Sequence, residues 1–145
     1  MKVLLDFVPN HFSDEHEWFN ASLSRDPKYD NYYIWKDADG FDGESGEPLP
    51  PNNWGSFFGG PAWTWRPERE QFYLHQFTPG QPDLNYRNPD VYQEMLDVLT
   101  FWMDHGCDGY RMDAVIRSQF QMDVMLKKDY FLIGCLFVRT RGFPR

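Results

Sequence analysis

Arg111 and Asp113 lie two residues apart in Gly109–Val115 (GYRMDAV). On a β-strand that spacing puts both side chains on one face, with Tyr110, Met112 and Ala114 on the other. A carboxylate beside a guanidinium stays ionised at neutral pH. An ionised carboxylate near the C-terminal end of a strand, facing a cleft, is what a glycosidase nucleophile requires. Taken alone, such a pair is more often a structural ion pair of an α/β core. Asp6, on an earlier apolar run, is a second candidate partner for Arg111. His11, just past that run, is placed to hydrogen-bond a substrate hydroxyl, although a single histidine is more often structural. His16, His75 and His105 are read as structural or solvated. By themselves these residues point to an α/β domain with a polar cleft.

The elements that must position these residues show in the apolar patterning on either side of them. Val3–Val8 is a short apolar run with one acid inside it, stopped by Pro9, the pattern of a buried parallel strand. Asn88 opens the strongest helix: it suits the N-cap, Pro89 the first helical position and Asp90 the positive end of the helix dipole. Val91, Met95, Leu99, Trp102 and Met103 follow at helical spacing as one apolar face, and Gly106 is a C-terminal stop. Gly109–Val115 is the second strand. Strand, long excursion, helix and strand make a parallel βαβ unit. Asp6 and Arg111 are therefore expected to meet within ion-pair distance in a buried interior. Between Phe12 and Tyr86 periodicity dissolves into Gly, Pro, Asn and Asp with scattered aromatics. So long a structureless loop is improbable, and the reading is an inserted subdomain held by aromatics, with a short hairpin near Gln71–Gln76.

The chain has 145 residues, the size of one domain or part of one. Its aromatic share, 19%, suits both a core and sugar-stacking surfaces. A net charge of −8 without a basic stripe excludes a nucleic-acid surface. No apolar run reaches the roughly 18 residues of a membrane span, and Asp6 interrupts the N-terminal run too early for a signal peptide. Cys107 and Cys135 offer neither a disulfide framework nor metal-ligand spacing. Residues 116–145 are net basic, unlike the acidic stretch before them, and contain Tyr130–Val138 (YFLIGCLFV). That run is either a buried strand or sequence outside the fold.

Three segments, taken together, shift the weighting towards catalysis. Asp6–His11 (DFVPNH), Gln81–Asn85 (QPDLN) and Gly109–Ala114 (GYRMDA) resemble, in order and spacing, signature segments of the α-amylase superfamily, glycoside hydrolase family thirteen. His16–Phe19 (HEWF), Asn52–Trp54 (NNW) and Leu74–Phe77 (LHQF) further resemble insect-type maltases, which are α-glucosidases. The resemblance covers about residues 1–115 and lapses afterwards.

The resemblance implies an α/β fold that is part of a (β/α)8 TIM barrel. Val3–Val8 would be its third strand and Gly109–Ala114 its fourth. Residues 12–86 would be a subdomain inserted between strand and helix, and 116–145 a divergent tail. Residue by residue, Asp113 matches the family's nucleophile, and Arg111 the arginine that orients it. His11 matches the histidine that contacts the innermost glucose, and Asp6 a structural carboxylate near the arginine. Asp83 belongs to the segment that ends the inserted subdomain. Asn10 matches a position that binds calcium in amylases; no cofactor is expected here, calcium being at most a feature of the parent enzyme. Phe12 stands where maltases usually carry Thr, and is expected to crowd the cleft edge.

The implied activity is retaining hydrolysis of terminal α-1,4-linked glucose from maltose-like oligosaccharides. Ala114 implies α-1,4 over α-1,6 preference, since related α-1,6-cleaving enzymes tend to have Val there. The family's general-acid Glu and late His-Asp pair have no counterpart in 116–145. The chain is thus expected to be incomplete at both ends of the barrel and inactive alone, its parent extracellular or secreted. The alternative is a non-catalytic relative such as an amino-acid-transporter heavy-chain ectodomain. Those relatives commonly lose the arginine or the carboxylate, whereas Arg111 and Asp113 are both present. A non-catalytic carbohydrate-binding piece has only the aromatic content in its favour.

Overall fold

A computed structural model describes residues 1–112, 130–133 and 136–139. In chain order the elements are β1 (Leu4–Phe7), α1 (Glu17–Leu23), β2 (Trp35–Lys36), β3 (Trp63–Arg66), β4 (Gln71–Leu74), α2 (Pro89–Asp104), β5 (Gly109–Met112), β6 (Tyr130–Ile133) and β7 (Leu136–Arg139). They divide into two compact units, residues 1–10 with 89–145, and residues 11–88.

In the first unit β1 and β5 pair in parallel, from Leu4 opposite Gly109 to Phe7 opposite Met112. Asp108 fixes this register. Its amide donates to the Val3 carbonyl at 2.9 Å, and its carboxylate accepts from the Val3 amide at 2.8 Å and from Lys2 Nζ at 2.7 Å. Alternation along the strands puts Leu5, Phe7, Tyr110 and Met112 on one face. Phe7, Tyr110 and Met112 are buried, and the Tyr110 hydroxyl donates to the Leu99 carbonyl of α2 at 2.7 Å.

Helix α2 begins at Pro89, as its signals predict, and buries Val91, Met95, Leu99 and Met103 in one i, i+4 row. Each such side chain removed from water contributes about 1.5–3 kcal/mol. Trp102 does not join them: it is 47% exposed. It ends the adjacent row of Glu94 and Val98, which is only half-buried and flanks the covered one. The indole is left against Phe101 instead, ring centres 5.2 Å apart. Gly106, at φ +95°, ends the helix. Its amide donates to Met103 O and that of Cys107 to Trp102 O, so the last carbonyls are satisfied and the chain turns at once into β5.

Both expected strands are thus present: β1 is shorter than Val3–Val8, four residues, and β5 covers Gly109–Met112, positions 113–115 of the expected second strand lying outside the described residues. The run YFLIGCLFV contributes two strands rather than one. β6 and β7 pair antiparallel, and β7 pairs antiparallel with β5, giving the order β1-β5-β7-β6. The sheet therefore begins parallel and continues antiparallel.

The second unit has a three-stranded antiparallel sheet, order β2-β4-β3. A hairpin is present but lies earlier than expected: β3 and β4 span Trp63–Leu74, with only β4 in the expected Gln71–Gln76 range, and Trp63 stands opposite Leu74 and Arg66 opposite Gln71. Ala62, Trp63, Phe72 and Leu74 form its core, flanked by Ile34, Ala38 and Trp65. Aromatic rings join it to α1: Phe19, wholly buried, meets Tyr33, Trp35 and Tyr73 at centroid distances of 5.1 to 5.5 Å. His16 caps α1, its Nδ1 accepting from the Trp18 amide at 3.2 Å. Arg69 is 5% exposed, paired with Asp30 at 2.8 Å, bonded to the Ser22 carbonyl and lying over the Trp35 ring. Where apolar periodicity is missing, rings and side chain-to-backbone bonds hold the unit together.

Candidate functional site

On the sheet face opposite α2, the β1–β5 register puts Asp6 beside Arg111. Arg111 Nη1 donates to Asp6 Oδ2 at 3.0 Å, the approach expected from the sequence. The expected burial is not found: the side chains are 62% and 53% exposed. The pair stands at the β1–β5 side of the four-stranded sheet, with more than half of each side chain open to solvent. An exposed pair of this kind is worth little to stability. Its effect is geometric, since it fixes the direction of a guanidinium on the strand that leads into Asp113. Asp113 itself, the expected nucleophile, lies outside the described residues, as do Ala114 and the tail acids Asp123 and Asp129.

Asn10 is buried, at 7% exposure. A calcium cage needs six to eight oxygens, with carboxylates among them. Among the described residues no group of three His, Cys, Asp or Glu side chains stands together to hold a metal.

The second constellation lies within unit 11–88. His11 forms an isolated antiparallel bridge with Asp83, which ties the start of the unit to QPDLN. Its Nε2 is 2.8 Å from the Gln81 amide nitrogen. With the amide donating, Nε2 accepts and Nδ1 carries the ring proton. Burial lowers the His11 pKa from its ordinary value and favours this neutral form. The imidazole also meets the Phe77 ring at 5.2 Å; Phe57 stacks on Phe77 at 5.2 Å, and Phe58 stands 6.1 Å from it. Phe57 and Phe58 are 59% and 75% exposed. A neutral imidazole, an amide and open ring faces can bind a polyol, the polar groups taking hydroxyls and the rings the C–H faces.

Asp83 positions this group. Only 2% exposed, it accepts from the Gln76 backbone amide at 3.2 Å and from Gln76 Nε2 at 2.6 Å. Its own amide donates to Leu74 O, the Asn85 amide to Tyr32 O, and Leu84 bridges Tyr33. QPDLN is thereby laced to β4 and to the Tyr32–Tyr33 segment. Gln81, Phe77, Phe57 and Phe58 were not singled out from sequence, although Gln81 and Phe77 stand in segments that were. Phe12 packs against His16 at 4.7 Å and Trp18 at 5.2 Å. His75 is buried with Nε2 2.8 Å from the Thr64 hydroxyl, and His105 Nδ1 lies 2.7 Å from Phe101 O, both structural contacts.

A family model described as "Alpha amylase, catalytic domain" matches residues 1–126. The chain is similar to Maltase 1 of Drosophila virilis, 60% identical over 116 residues, 80% of this chain and 18% of the maltase. It is similar to an amino acid transporter heavy chain of Homo sapiens, 49% identical over 79% of this chain and 16% of that protein. Among solved structures it is similar to an alpha-glucosyl transfer enzyme at 47% identity and a TM-score of 0.71, over 79% of this chain and 21% of the other. The chain thus spans about a fifth of the length of the proteins it matches.

Proposed function

The chain belongs to the α-amylase catalytic-domain family, and on that premise we propose that it is part of a retaining α-glucosidase acting on terminal α-1,4-linked glucose of maltose-like oligosaccharides. The observation that carries the reading is Arg111, held by Asp6 across adjacent parallel strands and two residues before Asp113. The likeness to a maltase over four-fifths of the chain supports it. β1 and β5 stand as the third and fourth strands of a (β/α)8 barrel, whose catalytic residues gather at strand C-termini.

In this reading Asp113 attacks the anomeric carbon and forms a covalent glucosyl intermediate. A general acid on a later strand, about 5 Å away, protonates the leaving oxygen. Arg111 keeps the nucleophile oriented and ionised, and Asp6 holds Arg111. Within its own unit, His11 with Gln81 and Phe77 offers polar groups for sugar hydroxyls and a ring for a sugar C–H face, in keeping with the glucose contact that the family resemblance gives His11. The test is the full-length gene product assayed on maltose and an aryl α-glucoside. Turnover abolished in Asp113→Asn is the expected result; turnover unchanged in that variant overturns the assignment.

A second reading, a non-catalytic transporter heavy chain, has the 49% identity to the human protein in its favour. The presence of both Arg111 and Asp113 favours the hydrolase. Absence of any turnover from the full-length product, with a membrane-spanning helix preceding this chain, would decide for the heavy chain.

A further inference from the structure

Asn20-Ala21-Ser22 is an asparagine-x-serine triplet, the acceptor pattern for N-linked glycosylation. No other asparagine of the chain has Ser or Thr two residues on. We propose that Asn20 is an N-glycan acceptor. The proposal rests on the exposure and chemistry of this side chain and stands apart from the hydrolase reading.

Asn20 occupies the outer side of α1. Phe19 and Ser22 are both wholly buried and mark the inward side, whereas Asn20 is exposed. The segment after the helix, Ser24 to Lys28 (SRDPK), is also exposed throughout. A saccharide at Asn20 therefore projects over polar surface rather than over side chains that must be covered. The Asn20 amide nitrogen donates to Glu15 O at 3.2 Å and to His16 O at 3.3 Å, both at the start of the helix. Glycosylation replaces one N–H and leaves the other, so one of these bonds survives the modification.

Ser22 has two roles. In the fold its hydroxyl donates to Asp30 O at 3.3 Å and accepts from Trp35 Nε1 at 2.9 Å. A transferase that must reach the serine cannot do so once α1 has packed, so transfer precedes folding of the helix. In the reaction the Asn20 amide nitrogen attacks the anomeric carbon of a polyprenyl-diphosphate-linked oligosaccharide. The N–C1 bond forms, the C1–O bond to the diphosphate breaks, the diphosphate leaves with the electron pair, and the amide proton passes to a base of the transferase. No redox partner is required.

The test is translation of the full 145-residue chain, carrying a cleavable signal peptide and a control acceptor triplet at its C-terminus, in microsomes competent for glycosylation. Because transfer precedes folding, the readout does not depend on whether a variant folds. The parent sequence is expected to carry two glycans, both removed by a peptide N-glycosidase, with the glycopeptide containing Asn20 identified by mass spectrometry. Asn20→Gln and Ser22→Ala are expected to carry only the control glycan, and Ser22→Thr to carry two. A parent chain glycosylated at the control triplet alone overturns the proposal. Two glycans persisting in Asn20→Gln overturn it equally.

Discussion

Asp83→Ala tests whether QPDLN holds the 11–88 unit together. The substitution removes a carboxylate that is 2% exposed and accepts two hydrogen bonds from one residue, Gln76. Hydrogen bonds to a charged group contribute about 1.5–3 kcal/mol each. Gln76 is half-buried, so water reaches its freed donors in part and the lower value applies to each. The expected loss is about 3 kcal/mol, a large share of a typical domain's stability of about 5–15 kcal/mol. At a urea slope of about 2 kcal/mol/M, the midpoint should fall by about 1.5 M. Tryptophan fluorescence is the suitable probe, because five of the six tryptophans (Trp18, Trp35, Trp54, Trp63 and Trp65) lie in this unit. Gln76→Ala deletes only the side-chain donor at 2.6 Å and is expected to cost about half as much. A loss below about 0.5 kcal/mol in Asp83→Ala, the range of ordinary surface substitutions, would refute the reasoning. It would mean that the backbone bridges alone hold the segment.

Burial lowers the pKa of His75 below its ordinary 6.5, as it lowers that of His11. The unfolded chain then binds more protons than the folded one once pH falls past about 6.5, so stability present above that pH is lost on acidification. Urea midpoints should drop between about pH 7.5 and 5.5, by less in His75→Gln; the same drop in the variant would remove His75 from the account. In the full-length enzyme Arg111→Lys should lower kcat about 100-fold with little change in KM, because a flexible ammonium does not reproduce the fixed guanidinium fork. An effect confined to KM would argue for a binding role. Maltose should exceed isomaltose in kcat/KM on account of Ala114, and Ala114→Val should narrow the gap; faster isomaltose cleavage in the parent defeats this. Expressed by itself, the 145-residue chain should not turn over an aryl α-glucoside, since loss of a general acid costs about 10²–10⁴ in rate. Turnover that vanishes in Asp113→Asn would reveal a substitute acid.

What could be read from sequence was local chemistry with a period. Pro89 and Gly106 bracket α2, alternation in GYRM assigns the faces of β5, and the helix between two apolar runs makes their pairing parallel, which brings Asp6 to Arg111. The contact of His11 with Gln81, 70 residues away, has no such signal. Neither does the burial of Arg69, which depends on the Ser22 and Asp30 carbonyls and the Trp35 ring. Trp102 was misplaced because helical angle alone does not show how far cover extends beyond the buried row. The burial expected for Asp6 and Arg111 failed for a related reason: a face is closed by neighbouring strands, and a residue pattern names the face without supplying them. The antiparallel arrival of β7 at β5 was equally invisible, since an apolar run carries no direction.

The bridge between His11 and Asp83 bears on the order of folding. Pairing Asp6 with Arg111 closes a loop of 105 residues. If His11 has already met Asp83, about 70 of those residues are short-circuited at a neck, and the free length falls to roughly 30. With closure entropy growing as (3/2)RT ln n, this lowers the cost of pairing β1 with β5 by about 1 kcal/mol. The 11–88 unit should therefore form ahead of the sheet it interrupts. Residues beyond the neck can be lengthened or replaced without adding to the distance that β1 and β5 must search.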